Sequence, residues 1–319
     1  MNMDKLKSML KTHYRINSID ISPLEGGWAA LAFEVKDCSK RYFLKVYEKS
    51  RASTLKWTAS IHHYVPMLLW LHEHTRLTSH LPVPIITKSG AYQCEDEYGV
   101  YLLYAYIEGT TIGEQALSEE QVIQLAVIIA DLHTHVVTEH LSAKEIIEDF
   151  QVPFLIALKE TIELNIQTLP FDLSAIISPR LNQIMTMINK LQSLAESLKH
   201  EDLKMVWCHT DIHHWNLMQA GEQLMLIDWE GLRLAPVEAD MMFLMNEPYY
   251  ETFLRVYRSV HKGYALHADA LRFYQYRRKL EDIWEFIEQL LYDHQLEEER
   301  VTTLSALGNE LDELSSMLD

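Results

Sequence analysis

Cysteine is scarce in this chain: of 319 residues only Cys38, Cys94 and Cys208 are thiols, widely separated and without a Cys-x-x-Cys pair. That odd, scattered set excludes a disulfide framework and a cysteine zinc site, and reduced thiols are expected. Long apolar runs are missing too. None approaches the roughly 20 residues that a membrane-spanning helix requires, and Met1-Asn-Met-Asp-Lys-Leu-Lys has no apolar signal core, so a cytoplasmic protein without membrane association is expected. Basic residues are the third deficit. Lys and Arg number 28 against 46 Asp and Glu, a formal net charge of −18, and this excludes nucleic acid, whose phosphates demand clustered cations. No Gly-x-Ser-x-Gly elbow accompanies the 16 histidines, which sets aside a Ser-His-Asp hydrolase. Internal repeats and low-complexity linkers are likewise absent.

What is present is an ordinary globular composition, 48% hydrophobic and 23% charged, sufficient for one domain of two lobes or two small domains. Its most informative stretch is His209-Thr-Asp-Ile-His-His-Trp-Asn216, followed by Leu226-Ile-Asp228-Trp229. Between them, apolar Leu217 and Met218, a turn-like Ala220-Gly221-Glu222 and a second apolar run read as a hairpin. Paired strands lie roughly 5 Å apart, so Asn216 and Asp228 can meet around one cation. Mg²⁺ takes oxygen ligands from a few protein groups and keeps positions for substrate phosphates. An Asn and an Asp at adjoining strand ends offer such ligands, and Asp211, one loop earlier, can orient a substrate hydroxyl.

These residues resemble the catalytic centre of the aminoglycoside phosphotransferase family, kinase-like enzymes in which His-x-Asp-x-x-x-x-Asn precedes a metal-binding Asp. The resemblance implies Asp211 as catalytic base, Asn216 and Asp228 as Mg²⁺ ligands, and His209 as support for the loop. It implies an α+β, two-lobed protein-kinase-like fold with a small antiparallel β lobe (residues 1–107, nucleotide and hinge) and a larger, mainly α-helical lobe (108–319, catalysis and acceptor). The activity implied is transfer of the γ-phosphoryl group of ATP to a hydroxyl of a small molecule. His-Thr-Asp-Ile-His with Ile-Asp-Trp-Glu is most similar to the spectinomycin kinases, where antibiotic resistance is the role; choline, homoserine and sugar kinases share the loop. Asp240, in Glu238-Ala-Asp240-Met-Met-Phe, resembles the Asp that braces the catalytic loop.

Upstream, Leu6, Met9, Leu10 and Tyr14 recur at helical spacing, Ile19–Leu24 alternates as a strand, and Glu25-Gly26-Gly27-Trp28 marks a turn. Strands follow at Ala32–Lys36 and Arg41–Tyr47, with Lys45 the lone interior cation of the latter. The resemblance places nucleotide phosphates against Gly26, Gly27 and Lys45. By themselves two turn glycines mean only positive φ, and a strand lysine is more often exposed. Kinases hold this lysine with a glutamate on the next helix, yet the helical stretch Thr54–His74 has its first glutamate at Glu73, its far end, and Pro66 implies a kink or break. Either His62 stands in, or the lysine is held otherwise, or the site is impaired and the chain is a nucleotide-binding pseudokinase.

Ala91–Glu95 and Val100–Ile107 read as a hairpin, the second strand resembling the family's edge strand and hinge. The resemblance implies adenine pairing with the backbone at Ala105 and Ile107, with Tyr104 closing the pocket. After Gly109 the period turns helical: Ser118 and Gln121 form a capping box before the stripe Val122, Leu125, Ala126, Ile129, Leu132, and His133 reads as a packed structural histidine. Further helices are expected over Ala143–Leu169, Pro179–Leu198 and from Ala239 onward. The segment from Glu281 to Asp319 carries twelve acids against Arg300 alone. Most of these read as a solvated face, while Tyr276, Glu281 and Asp282 sit where related enzymes build the acceptor pocket. Acidity of this kind attracts a cationic acceptor. A monomer or homodimer is expected.

Overall fold

The computed structural model describes residues 3–17, 20–24, 29–135, 144–164 and 168–318, and its architecture is mixed α+β. The strands are β1 (Asp20–Leu24), β2 (Leu31–Lys36), β3 (Arg41–Glu48), β4 (Cys94–Glu95), β5 (Gly99–Ala105), β6 (Thr110–Thr111), β7 (Met205–Cys208), β8 (Leu217–Ala220), β9 (Gln223–Leu226) and β10 (Arg233–Pro236). The helices are α1 (Met3–Tyr14), α2 (Thr54–Thr58), α3 (Ile61–His74), α4 (Glu119–Leu132), α5 (Phe154–Lys159), α6 (Phe171–Ile177), α7 (Leu181–Leu198), α8 (Glu238–Leu244), α9 (Tyr250–Val260), α10 (Ala268–Tyr292), α11 (Glu297–Asp312) and α12 (Leu314–Leu318). They fall into two compact units, one of residues 1–49, 54–147 and 205–264, the other of 50–53, 148–204 and 265–319.

The first unit holds an antiparallel sheet of order β1-β2-β3-β5-β4. Strand alternation divides its residues between two faces. On one, Phe33, Val35, Leu44, Val46, Tyr101 and Leu103 bury against Leu6, Met9 and Leu10 of α1, the stripe expected from their spacing. On the other, Lys45 and its cross-strand partner Leu102 stand beside Tyr47, Val100 and Tyr104. Those apolar and aromatic groups join a second core with α3, α4 and the strands around residue 217. The period of β3 is thus what delivers Lys45 to the face that meets Asp228 and Glu230.

Strand β5 is interior, not the expected edge. The two-residue β4 pairs with it at Tyr101 and Val100, and further along Ile85 N donates to Leu103 O at 2.6 Å. Proline-punctuated chain therefore covers what a strand count alone leaves open. The helical stretch after β3 breaks at Ala59–Ser60, and α3 runs through Pro66. The expected helix over 143–169 is in pieces: among its described residues Lys144–Ile146 forms a short 3₁₀ turn, α5 begins after Pro153, and a π-helical turn follows at Glu160–Leu164. In contrast α4 matches its sequence signal closely. Ser118 Oγ accepts from Gln121 N at 3.3 Å while Gln121 Oε1 accepts from Ser118 N at 2.8 Å, and all five stripe residues are buried.

The second unit is helical, with α10 packed against α7 and α11. Several acids of the carboxyl-terminal segment are paired here instead of merely solvated. Lys279 is held by Glu310 and Glu313, and Arg300 binds Asp172 through two parallel hydrogen bonds of 2.9 and 3.0 Å, a bidentate geometry that fixes α11 on α6. Within the described residues, no helix is long and apolar enough to cross a membrane.

Candidate active site

The loop between β7 and β8 is held from beneath by one carboxylate. Asp240, fully buried in the first turn of α8, accepts from His209 N at 3.1 Å, Thr210 N at 2.6 Å and His133 Nε2 at 2.9 Å. Thr210 needs that hold, since its φ of +70° lies in the left-handed region that a β-branched residue avoids. Its hydroxyl also donates to Gly231 O at 3.0 Å. Asp240, His133 and Cys208 bring metal-binding atoms within 4.8 Å of one another. Both Asp240 oxygens and both His133 nitrogens are engaged, however, the latter with Tyr257 Oη at 2.9 Å as well, so the group is a brace and His133 a packed side chain.

His209 joins the two halves of the motif. Its Nδ1 accepts from Asp211 N at 3.2 Å and its Nε2 donates to Ile227 O at 2.9 Å, an arrangement that requires the neutral ring. Burial pushes the imidazole pKa down, against the opposing pull of Asp240 and Asp211. Asn216, also buried, commits its amide nitrogen to Asp211, donating to the backbone O and to Oδ2, each at 2.9 Å. The Asn216 carbonyl oxygen consequently points elsewhere, and the Asp211 carboxylate is oriented. Across the hairpin, Ile227 N donates to Asn216 O at 2.9 Å, which sets Asp228 beside it. Asp228 itself has φ +62°, a strained conformation of the kind that clusters at functional sites.

Two oxygen-bearing side chains at the end of one hairpin, Asn216 with its amide nitrogen turned to Asp211 and Asp228 with its side chain 42% exposed, suit a hard cation such as Mg²⁺. Lys45 reaches the same place: its Nζ lies 2.9 Å from Asp228 Oδ1 and 2.6 Å from Glu230 Oε1. Burial opposes its charge, yet the two carboxylates outweigh burial and hold the ammonium pKa well above the ordinary lysine value. The missing helix partner is therefore neither Glu73, which is exposed, nor His62, whose ring lies 6.2 Å from that of Tyr92. Glu230 stands in the Ile-Asp-Trp-Glu run, but its 185-residue separation from Lys45 leaves no local signal of the pairing.

Gly231, next to Glu230, is where the turn after Asp228 meets the loop after β7. A Cβ there would lie 2.2 Å from Thr210 Oγ1 and 2.9 Å from His209 O. Gly231→Ala must push the two segments apart, and overpacking of this kind costs about 1–3 kcal/mol. Denaturant unfolding should show that loss, and turnover should fall with it; unchanged stability would mean the loops are not in register as described.

The other expected site residues are distributed as follows. Gly26 and Gly27 lie outside the described residues. Ala105 pairs with Tyr42 at the end of β5, and Tyr106 N donates to Arg41 O at 3.2 Å. By the alternation of an antiparallel ladder, the Ala105 N–H and C=O then point away from β3, the direction a base pairing with the hinge requires; Ile107 follows the strand. Tyr104 is buried on the Lys45 face. Tyr276, Glu281 and Asp282 belong to α10 of the second unit. There the Tyr276 hydroxyl donates to Met317 O at 3.2 Å, and Asp282 accepts from Arg278 Nε at 2.9 Å. Burial pushes the Asp282 carboxyl up to about 6. Missed by sequence reasoning, His213 places Nε2 3.4 Å from Asp211 Oδ2.

Comparison with known proteins agrees with this arrangement. The spectinomycin phosphotransferase in complex with ADP and spectinomycin superposes with a TM-score of 0.76 at 20% identity, covering 99% of this chain and 98% of that one. The choline kinase of Streptococcus pneumoniae gives 0.65 at 16% identity over 97% and 99% of the two chains. A microcompartment-associated aminopropanol kinase gives 0.66 at 13% over 99% and 97%. At such identities these likenesses establish the fold. No curated protein matches the sequence itself. The model of the phosphotransferase enzyme family does, over residues 20–276, a span that includes Lys45, Asp211, Asn216, Asp228 and Glu230. With most of its length matched and its loop, hairpin and strand lysine assembled in one compact unit, the chain belongs to the phosphotransferase enzyme family.

Proposed function

We propose that this protein is an ATP-dependent kinase that transfers the γ-phosphoryl group to a hydroxyl of a small cationic acceptor, with spectinomycin-like aminocyclitols and amino alcohols such as choline as the leading classes. The observation that carries this reading is the convergence of Asp211, Asn216, Asp228 and Lys45 at one place. Asp211, oriented by Asn216, accepts the proton of the attacking hydroxyl. Lys45 meets the nucleotide phosphates as a point charge. Asn216 and Asp228 would hold Mg²⁺, which when bound neutralises phosphate charge. Catalysis is then positioning plus electrostatics, with no covalent enzyme intermediate. Residues 1–107 serve the nucleotide in this reading, with adenine against the outward backbone at Ala105 and Ile107.

A cationic acceptor is supported by the surroundings of Asp211 within the same unit. The ring of His213 lies edge-on to Phe243, with centroids 6.4 Å apart. His214 stacks on Tyr249 with Nε2 3.2 Å from its hydroxyl, and Glu247 is 4.0 Å from that nitrogen. Aromatic faces beside carboxylates attract nitrogen cations. The pseudokinase alternative rests on the absent helix glutamate and on the lean Gly26-Gly27 turn; the two carboxylate partners of Lys45 answer the first, and turnover tests the second. The test is an ATP-consumption screen across aminoglycosides, spectinomycin, choline, amino alcohols and neutral sugars. Turnover confined to cationic acceptors is expected; preference for neutral sugars would remove the charge argument, and no turnover on any alcohol would sink the enzyme.

A further inference from the structure

We infer that Glu230 is the positioning residue for Lys45, so that the lysine grip on nucleotide is set by the metal-binding turn and not by the helix after β3. The inference deepens the kinase reading and rests on it for the identity of the ligand.

Three features lead to it. First, the Glu230 side chain is only 9% exposed, and its Oε1 receives two donors from one strand face, Lys45 Nζ and Tyr47 Oη, each at 2.6 Å. Lys45 and Tyr47 are two residues apart on β3 and so share a side of the sheet. A carboxylate held this way has little freedom, and neither has the ammonium it holds. Second, Glu230 sits two residues after Asp228 in the 3₁₀ turn Trp229–Gly231, and Asp228 is the other partner of Lys45. Lysine and candidate metal ligand are thereby locked through a single turn of chain. Third, α3 packs against that turn but presents no acid to it. What it gives the shared core is apolar and aromatic, Tyr64 among it, with Tyr47 and Tyr104 in the same cluster, and its one glutamate lies nine residues beyond Tyr64, about 13 Å along the helix axis.

The consequence is mechanical. In a kinase whose lysine partner is on a helix, moving that helix releases the lysine. Here the partner moves with Asp228, so no displacement of α3 is needed to make or break the site. Without Glu230 the lysine keeps only Asp228, and it then competes for the carboxylate assigned to the metal.

A double-mutant cycle tests this, with Mg·ADP as calorimetric ligand and four proteins: unaltered, Glu230→Gln, Lys45→Met and both together. Glu230→Gln preserves shape and leaves Lys45 its Asp228 partner, so the protein should fold, with a lowered melting temperature because a largely buried ion pair is broken. It is expected to weaken Mg·ADP binding about tenfold in the unaltered background and by less than twofold in the Lys45→Met background, because it acts through the lysine. Equal losses in both backgrounds would show direct contact with metal or nucleotide and overturn the inference; no loss in the first background would do the same. A second readout needs no nucleotide. The rate at which an amine-reactive reagent labels Lys45, followed by peptide mass, should rise several-fold in Glu230→Gln, and an unchanged rate overturns the inference. If the unaltered protein binds no Mg·ADP, the kinase reading fails and the labelling experiment alone decides the role of Glu230.

Discussion

Asp211→Asn is expected to lower phosphoryl transfer by about 10²–10⁴, the range that a positioned general base contributes, while leaving Mg·ADP affinity and melting temperature near those of the unaltered protein. The separation of effects follows from the bonds that Asp211 makes. Its backbone N and O are held by His209 Nδ1 and Asn216 Nδ2, neither of which the substitution touches. Its Oδ2 accepts the second Asn216 hydrogen bond, and an amide oxygen can accept there equally well. What is lost is the capacity to take a proton. Steady-state ATP consumption with the best acceptor from the screen measures the fall, and calorimetry with Mg·ADP measures what is retained. Turnover within threefold of the unaltered enzyme would show that the hydroxyl is activated elsewhere, and His213 would be the first residue to examine.

The largest stability effect is expected from Asp240→Ala. One buried carboxylate accepts three N–H groups, from His209, Thr210 and His133, and alanine leaves all three in a core without an acceptor. Each orphaned donor costs about 1–3 kcal/mol, so with three of them a total on the order of 4 kcal/mol is expected. For a chain of this size that lowers the melting temperature by roughly 10 °C. Activity should collapse even where the protein stays folded, because Thr210 loses the contact that holds its positive φ. Asp240→Asn should resemble the alanine variant: whichever oxygen becomes an NH₂ then faces another N–H. Melting within 2 °C of the unaltered protein would mean the loop is braced some other way.

How far such effects could be read from the sequence depended on the range of the interactions. The geometry of the loop after β7 and of its hairpin was legible because their oxygen-bearing residues fall within the twenty positions from His209 to Asp228, where turn and strand spacing translate into distance. The helices α1 and α4 were legible for the same reason, their stripes and cap being local. The lysine partner was not, since Glu230 and Lys45 meet only after the sheet and the hairpin are packed. Strand β5 was misplaced at an edge because its covering chain, β4 and the segment at Ile85, is too short to carry a strand period. The break before α3 fell at Ala59–Ser60, not at Pro66. A proline inside a helix takes away one hydrogen bond, and packing of Ile61, Tyr64, Val65, Met67, Leu68 and Leu71 in the core outweighs that loss.

By itself the sequence placed the groups of the proposed chemistry, Asp211, Asn216, Asp228 and Lys45, in local patterns of loop, hairpin and strand, because the periods and spacings of those elements are short. Tertiary structure alone decided how those groups are tied together. It set Glu230 under Lys45, Asp240 under the loop and Gly231 against Thr210. Contacts between residues tens to nearly two hundred positions apart have no period to betray them; they exist because buried charges and buried N–H groups must find partners once the chain has closed.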